Sequence, residues 1–334
     1  MTLIALYKYC TLLAICTITS SLEISNLNRR QAISNLATTS TLLIPQPSTA
    51  EPTLTIPSID LPTPSKLPPK KFPLASFGLQ IYNDETAYKL TTTALNAGYR
   101  NFFASVLAGN QKGFAQAIRD SNIPRDELYI CGTVLSNRAR NYKDAFDKTY
   151  KGCIENFNVL NKNSDNKIGY LDMIMLDYPC IEDEGVQGQW QAFNKFLMEE
   201  KVVHLAVSNF NAKQLDICSK IGPTPTVNQL PFSIANHPTK MMEYNTKRNV
   251  HVQSWSPLSS TLPRYKSIMG QIGQTYNKSA AQVGLRWIIQ NGGSYCVQSK
   301  KAEHFVDDLD VFDFELSKKD METLSNLQPP ISLS

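Results

Sequence analysis

The chain has no CxxC pair, no GxGxxG run after an apolar segment and no basic patch interleaved with aromatics. Each absence excludes something. Without the glycine-rich turn there is no dinucleotide-binding Rossmann fingerprint. Without a basic stripe, nucleic acid is not an expected partner. Of seven cysteines, Cys10 and Cys16 lie near the start, and Cys131, Cys153, Cys180, Cys218 and Cys296 are odd in number and widely spaced. That pattern suits core thiols, not a disulfide framework or a zinc site, so no metal is expected. Acidic residues are missing altogether from Ile24 to Ala50, where Ser and Thr are abundant.

That acid-free stretch belongs to a distinctive first fifty residues. Lys8 precedes an uncharged, mostly apolar run from Tyr9 to Thr19, which has the length of a signal-peptide core and is short for a membrane span. Arg29-Arg30 follows, then a mildly apolar stretch to Ile44 and the small residues Ser48-Thr49-Ala50. Residues 1–50 read as a bipartite leader, a secretory signal followed by a plastid-type or twin-arginine segment. A disordered Ser/Thr/Pro tail is the alternative. The leader reading carries an expected address, a plastid or the secretory route, with the thylakoid lumen as one destination. Residues 51–71 are proline-rich and read as a linker or an irregular hairpin.

What remains is rich enough in apolar residues to bury a core, with 42% hydrophobic and 19% charged over the 334 residues. The net charge is +4, of which Lys8, Arg29 and Arg30 against Glu23 supply +2, so the rest is nearly neutral. From Phe72 the pattern alternates. Strand-like PLASFGL, YRNFFASV, ELYICGTVL, KIGYLDMIMLDYP, KVVHLAVSNF, TPTVNQL, VHVQSWSPL and SYCVQS are interleaved with helix-like segments. Asp84 is the expected cap of the first helix and Gly98 its stop; Ser279 and Gln282 form an S-x-x-Q capping box. Eight alternations over roughly 250 residues is the rhythm of an α/β (β/α)8 TIM barrel over 72–334. Within it, Val202 to Val207 is a nearly unbroken apolar run that stops at Ser208-Asn209. Ligands sit at such strand ends in parallel α/β folds. A hydroxyl beside a carboxamide there can pair with both faces of a ligand amide, or can simply turn the chain and cap the next helix.

Several segments in one order, FPLASFGL, ALNAGYR, YLDMIMLDYP, KVVHLAVSNF, TVNQL, WSPL, KSAAQVGLRW and VFDFELS followed by DM, resemble the aldo-keto reductase family from about Phe72 to Leu327. The resemblance implies a barrel that binds NADPH across its C-terminal mouth and reduces aldehydes or ketones. It implies that Ser208, Asn209 and Gln229 hold the nicotinamide carboxamide and that Trp255 stands where an aromatic stacks on the ring.

The family's catalytic tetrad is Asp, Tyr, Lys and His, with the tyrosine as proton donor. In GYRNFFASVLAGNQ the Asp falls on Phe103 and the Tyr on Ala108; the Lys falls on Thr133 and the His on Asp177. All four are replaced. Because the Asp and Lys are lost together, neither is orphaned, whereas losing one alone would cost ~3–5 kcal/mol. Ala108 offers no proton, and a positioned acid is worth ~10²- to 10⁴-fold in rate. Asp177 is left as the one candidate catalytic group, with a hydrogen bond to Thr133 or to backbone as its expected structural role; Tyr178 should face the other way by strand alternation. At the adenosine end the family's Pro-Lys-Ser maps onto Val297-Gln298-Ser299, its Arg onto His304 and its Glu-Asn onto Asp307-Asp308. Ser299 is thus a candidate cofactor contact. Lys300 and Lys301 read as a solvated pair, and binding of NADP is expected to be weak or lost, with NAD possible. Three functions follow as alternatives. They are a pseudoenzyme with a partial nicotinamide pocket, an active carbonyl reductase with atypical residues, and a barrel that binds an unknown protein partner.

Overall fold

The computed structural model describes residues 55–79, 82–105, 109–162, 168–261 and 263–327. The leader expected over 1–50 and Ala108 lie outside the described residues. Eight strands, β3 (Ala75–Gly78), β4 (Asn101–Ser105), β5 (Tyr129–Val134), β6 (Leu171–Asp177), β7 (Val202–Ser208), β8 (Val227–Pro231), β9 (His251–Trp255) and β10 (Ser294–Val297), form a closed barrel in chain order. Every neighbouring pair is parallel, including β10 with β3. This is the (β/α)8 barrel that the strand–helix alternation predicts.

Helices α1 (Asp84–Ala97), α2 (Gln111–Asp120), α3 (Tyr142–Asn161), α4 (Asp183–Met198), α5 (Ala212–Ile221) and α6 (Thr239–Thr246) follow β3 to β8 in turn. Two helices, α7 (Pro263–Tyr276) and α8 (Ala280–Gln290), separate β9 from β10, and α9 (Ala302–Asp307) and α10 (Lys318–Ser325) close the chain. Helix α7 is absent from the strand–helix reading, because its glycines at 270 and 273 dilute the apolar period. At α1 the cap is Asn83, whose side chain accepts from Thr86 N, and not Asp84. Asp84 sits one residue further in and accepts the Gly113 N–H instead, tying α1 to α2. Gly98 ends α1 as expected, at φ 111°, where a side chain would be strained.

Strand alternation divides the apolar residues between two cores. Phe77, Phe102, Ile130, Ile174, Leu176, Leu205 and Val207 face the helices. Phe103, Cys131, Met173, Met175, Ala206, Val227 and Cys296 fill the lumen. The five described cysteines are free and buried. Among the described residues no helix is long and apolar enough to cross a membrane.

The N-terminal end of the lumen is closed by the proline-rich segment. Here β1 (Ser58–Ile59) pairs antiparallel with β2 (Phe72–Pro73), Ile59 opposite Phe72. Leu61 and Phe72 enter the lumen cluster, and the Phe72 ring meets Tyr129 edge-on at 5.2 Å. Two polar clusters fasten it. Thr63 Oγ1 lies 3.3 Å from His204 Nε2, whose Nδ1 is 2.9 Å from the Tyr129 hydroxyl. Asp172, fully buried, is 2.8 Å from Arg125 Nη2 and 3.3 Å from Lys70 Nζ, the latter an ion-pair distance without hydrogen-bond alignment. Burial raises the Asp172 carboxyl and lowers the Lys70 ammonium, each against the attraction of its partner. Removing one charge from such a cluster leaves the others uncompensated. Asp172→Asn is therefore expected to lower the unfolding free energy by ~3–5 kcal/mol in chemical denaturation. Lys66→Ala, which breaks an exposed pair with Glu200, should leave the midpoint unchanged.

Candidate functional site

At the C-terminal mouth the register places polar residues side by side. Asp177 on β6 pairs with Ser208 on β7, Ser208 with Gln229 on β8, and Gln229 with Gln253 on β9. Two residues before Asp177, Ser208 and Gln229 stand Met175, Ala206 and Val227 of the lumen cluster, so these side chains top the same lumen.

Most of the row is bonded to itself. Ser208 Oγ donates to the Gln229 carbonyl at 3.1 Å and accepts from Asn209 Nδ2 at 2.9 Å. Trp255 Nε1 donates to Asn209 Oδ1 at 3.1 Å, which fixes the half-buried indole at the rim. Gln229 Nε2 donates to Gln253 Oε1 at 2.7 Å, and Gln253 Nε2 reaches Ser76 Oγ on β3 at 3.0 Å. Asn209 has φ 63°, a region that asparagine tolerates better than other side chains, and its N–H is held by the Gln229 carbonyl at 3.0 Å. Tyr178 (φ 67°) and Ser256 (φ 50°), which follow β6 and β9, leave their strands in the same left-handed way. Asn122, Glu200, Asn249 and Asn277 share that backbone region away from these strand ends.

Asp177 differs from its neighbours. It is partly buried, and no hydrogen bond or ion pair holds it among the described residues. Burial alone pushes its carboxyl up to about 6. The expected bond to Thr133 is not formed, nor one to backbone among the described residues. Thr133 pairs in register with Met175, two residues deeper, about 7 Å down the strand. Phe103 is wholly buried among Cys131, Met173 and Met175, in register with Cys131. Two residues after position 108, the Asn110 side chain bonds to the carbonyl of Leu79, just past the end of β3.

The second cluster of predicted residues lies beyond β10. Ser299 Oγ is 3.1 Å from His304 Nδ1 and accepts from Lys301 N at 3.1 Å. His304 and Lys301 are exposed, and Lys300 Nζ lies 5.7 Å from the centre of the Tyr82 ring. Asp308 is 3% exposed, and burial, with a smaller contribution from Asp307, raises its carboxyl to about 7. Near neutrality a good part of it is the acid form, which can donate as well as accept.

A model of the aldo/keto reductase family matches residues 74–328. The chain belongs to that family. It is 28% identical over 258 residues to glyoxal reductase of Bacillus subtilis, covering 75% of this chain and 88% of the relative. It is 26% identical over 271 residues to D-galacturonate reductase of Fragaria ananassa, covering 73% and 82%. A solved aldo/keto reductase from Brucella melitensis superposes with a TM-score of 0.70 at 26% identity, covering 81% of this chain and 99% of that one.

Within the aldo/keto reductase barrel, Ser208, Asn209, Gln229 and Trp255 come together at the mouth as their motifs imply, while Ser299 keeps company with His304 on the rim. Sequence reasoning passed over Gln253 and Ser76, which complete the bonded row. Its usable signal was the alternation His251, Gln253, Trp255 in VHVQSW, which sets a glutamine on the lumen face of a buried strand.

The buried Asp308 yields a stability test. A folded-state value near 7 against 3.8 in an unfolded chain means that stability is greatest below pH 4 and is lost as pH rises towards 7. Asp308→Asn removes that loss. The variant is expected to match the wild type near pH 4 and to exceed it by ~2–4 kcal/mol above pH 7, measured as denaturation midpoints across pH.

Proposed function

We propose that the mouth of the barrel binds a nicotinamide nucleotide by its carboxamide end and does not perform carbonyl reduction at neutral pH. Supporting the first half, Ser208, Asn209 and Gln229 keep spare hydrogen-bonding capacity beside their mutual bonds, and Trp255 offers a fixed aromatic face. The residues present fit the carboxamide end. The observation that carries the second half is the lumen wall where an acid would be activated. Phe103 is packed among apolar side chains, and buried Thr133 stands where the family resemblance implies a lysine. With no Lys–Asp pair among the described residues of that wall, and alanine in the sequence at position 108, no described residue there lowers the pKa of a proton donor. A bound reduced nucleotide would supply hydride; the chain's own part is to hold the carboxamide and to keep the ring against Trp255.

By the family resemblance the exposed Gln298 and His304 stand where a Lys and an Arg would clamp the 2′-phosphate, so that group gains little from them. Calorimetric titration of the full chain with NADPH and NADH is expected to show weak binding of both, less than about tenfold apart, a difference of ~1.4 kcal/mol. Gln229→Ala should weaken both alike. No binding of either, or tight NADPH binding that discriminates strongly against NADH, would overturn the proposal.

A second reading, an active carbonyl reductase, is favoured by one observation, the unbonded Asp177 raised by burial to about 6. Its protonated form can donate to a carbonyl oxygen, while its ionised form repels the developing oxyanion. Turnover on this reading is present below about pH 6 and lost as pH rises through it. The relatives suggest glyoxal and D-galacturonate as substrates to try. Oxidation of NADPH with either at acid pH, fading towards alkaline pH and abolished in Asp177→Asn, would establish it.

A further inference from the structure

We propose that Asp177 makes the mouth of the barrel a site for a ligand carrying a cationic nitrogen, either an alkylammonium or a protonated C=N group. This deepens the reading of the mouth as the ligand site and rests on it, but does not require that a nucleotide be bound. Ser208, Asn209, Gln229, Gln253 and Trp255 are linked to one another or to Ser76, whereas the Asp177 carboxyl has neither donor nor counter-charge among the described residues. Its neighbours in the lumen, Met175 and Ser208, carry no charge. A partly buried carboxylate in such a wall is stabilised most by a ligand that brings both N–H donors and positive charge. A neutral carbonyl offers it nothing, because carbonyl oxygen and carboxylate are both acceptors.

The lack of an activated proton donor points the same way. Carbonyl reduction must end with a proton on oxygen. A protonated C=N group arrives with its proton: hydride adds to carbon, the C=N electron pair becomes the nitrogen lone pair, and a neutral amine results. The reductant is a reduced nicotinamide nucleotide, which becomes its oxidised cation, so charge balances without a proton from the protein. In this role Asp177 selects and orients the cation.

The test is binding of benzylammonium against benzyl alcohol, near-isosteric probes, to the full chain at slightly alkaline pH, followed by calorimetry without nucleotide. Benzylammonium is expected to bind at least about tenfold more tightly. The preference should vanish in Asp177→Asn, survive in Asp177→Glu and weaken with added salt, with all three proteins melting alike. Equal binding of the two probes, no binding of either, or a preference that persists in Asp177→Asn would overturn the proposal. If Asp177→Asn fails to fold, loss of the preference in wild type at acid pH, where the carboxyl is protonated, replaces it; persistence there counts against the proposal. Nucleotide titrations run separately keep the two ideas apart, since either ligand can bind when the other does not.

Discussion

A sheet closed on itself leaves a lumen that no helix can reach, and every property of this molecule follows from how side chains fill it. Apolar residues do so at mid-height, where Phe103, Cys131, Met173, Met175, Ala206, Val227 and Cys296 meet. Below them lies the hairpin of β1 and β2, and two histidines there are paired, His204 with Tyr129 and His251 with Ser294. Above them the same rule yields the bonded row from Ser208 to Ser76. Stability and site are therefore one arrangement, with chemistry confined to its upper rim.

Against that background the lone carboxyl at the end of β6 gains its meaning. His204, His251 and the row from Ser208 to Ser76 have partners in the lumen, where leaving such a buried group bare costs ~1–3 kcal/mol. Asp177 avoids the full penalty by remaining partly open to solvent and by titrating close to neutrality. Ser208, Asn209, Gln229 and Trp255 are held by mutual bonds, so among the described residues a ligand meets a bonded row with the Asp177 charge beside it. On the family resemblance Phe103 and Thr133 stand where a Lys–Asp pair would be, and such a pair removed as a unit leaves no orphan to be stabilised.

The fold was legible because its signals were local. Strands buried on both faces read as apolar runs, and the capping box of Ser279 and Gln282 forms as written. That Ser208, Asn209, Gln229 and Trp255 lie close together was legible because each belongs to a distinctive motif in or just after a strand. What was not legible depends on register. Whether Asp177 could reach Thr133 turns on a two-residue offset between β5 and β6, and the link from Gln229 through Gln253 to Ser76 joins residues far apart in the chain. Asp84 against Asn83 as the cap of α1 is the same lesson at smaller scale, because the contest was decided by the Gly113 N–H of another helix.

The three tryptophans are unequally placed. Trp190 and Trp287 are sealed in the core, with their indole N–H groups on the Pro223 carbonyl and the Ser325 hydroxyl. Trp255 alone stands half-open at the rim, oriented by Asn209. The long-wavelength edge of the protein's fluorescence thus belongs to the residue that lines the mouth, and the fold carries its own optical reporter of occupancy, with two shielded indoles as an internal reference.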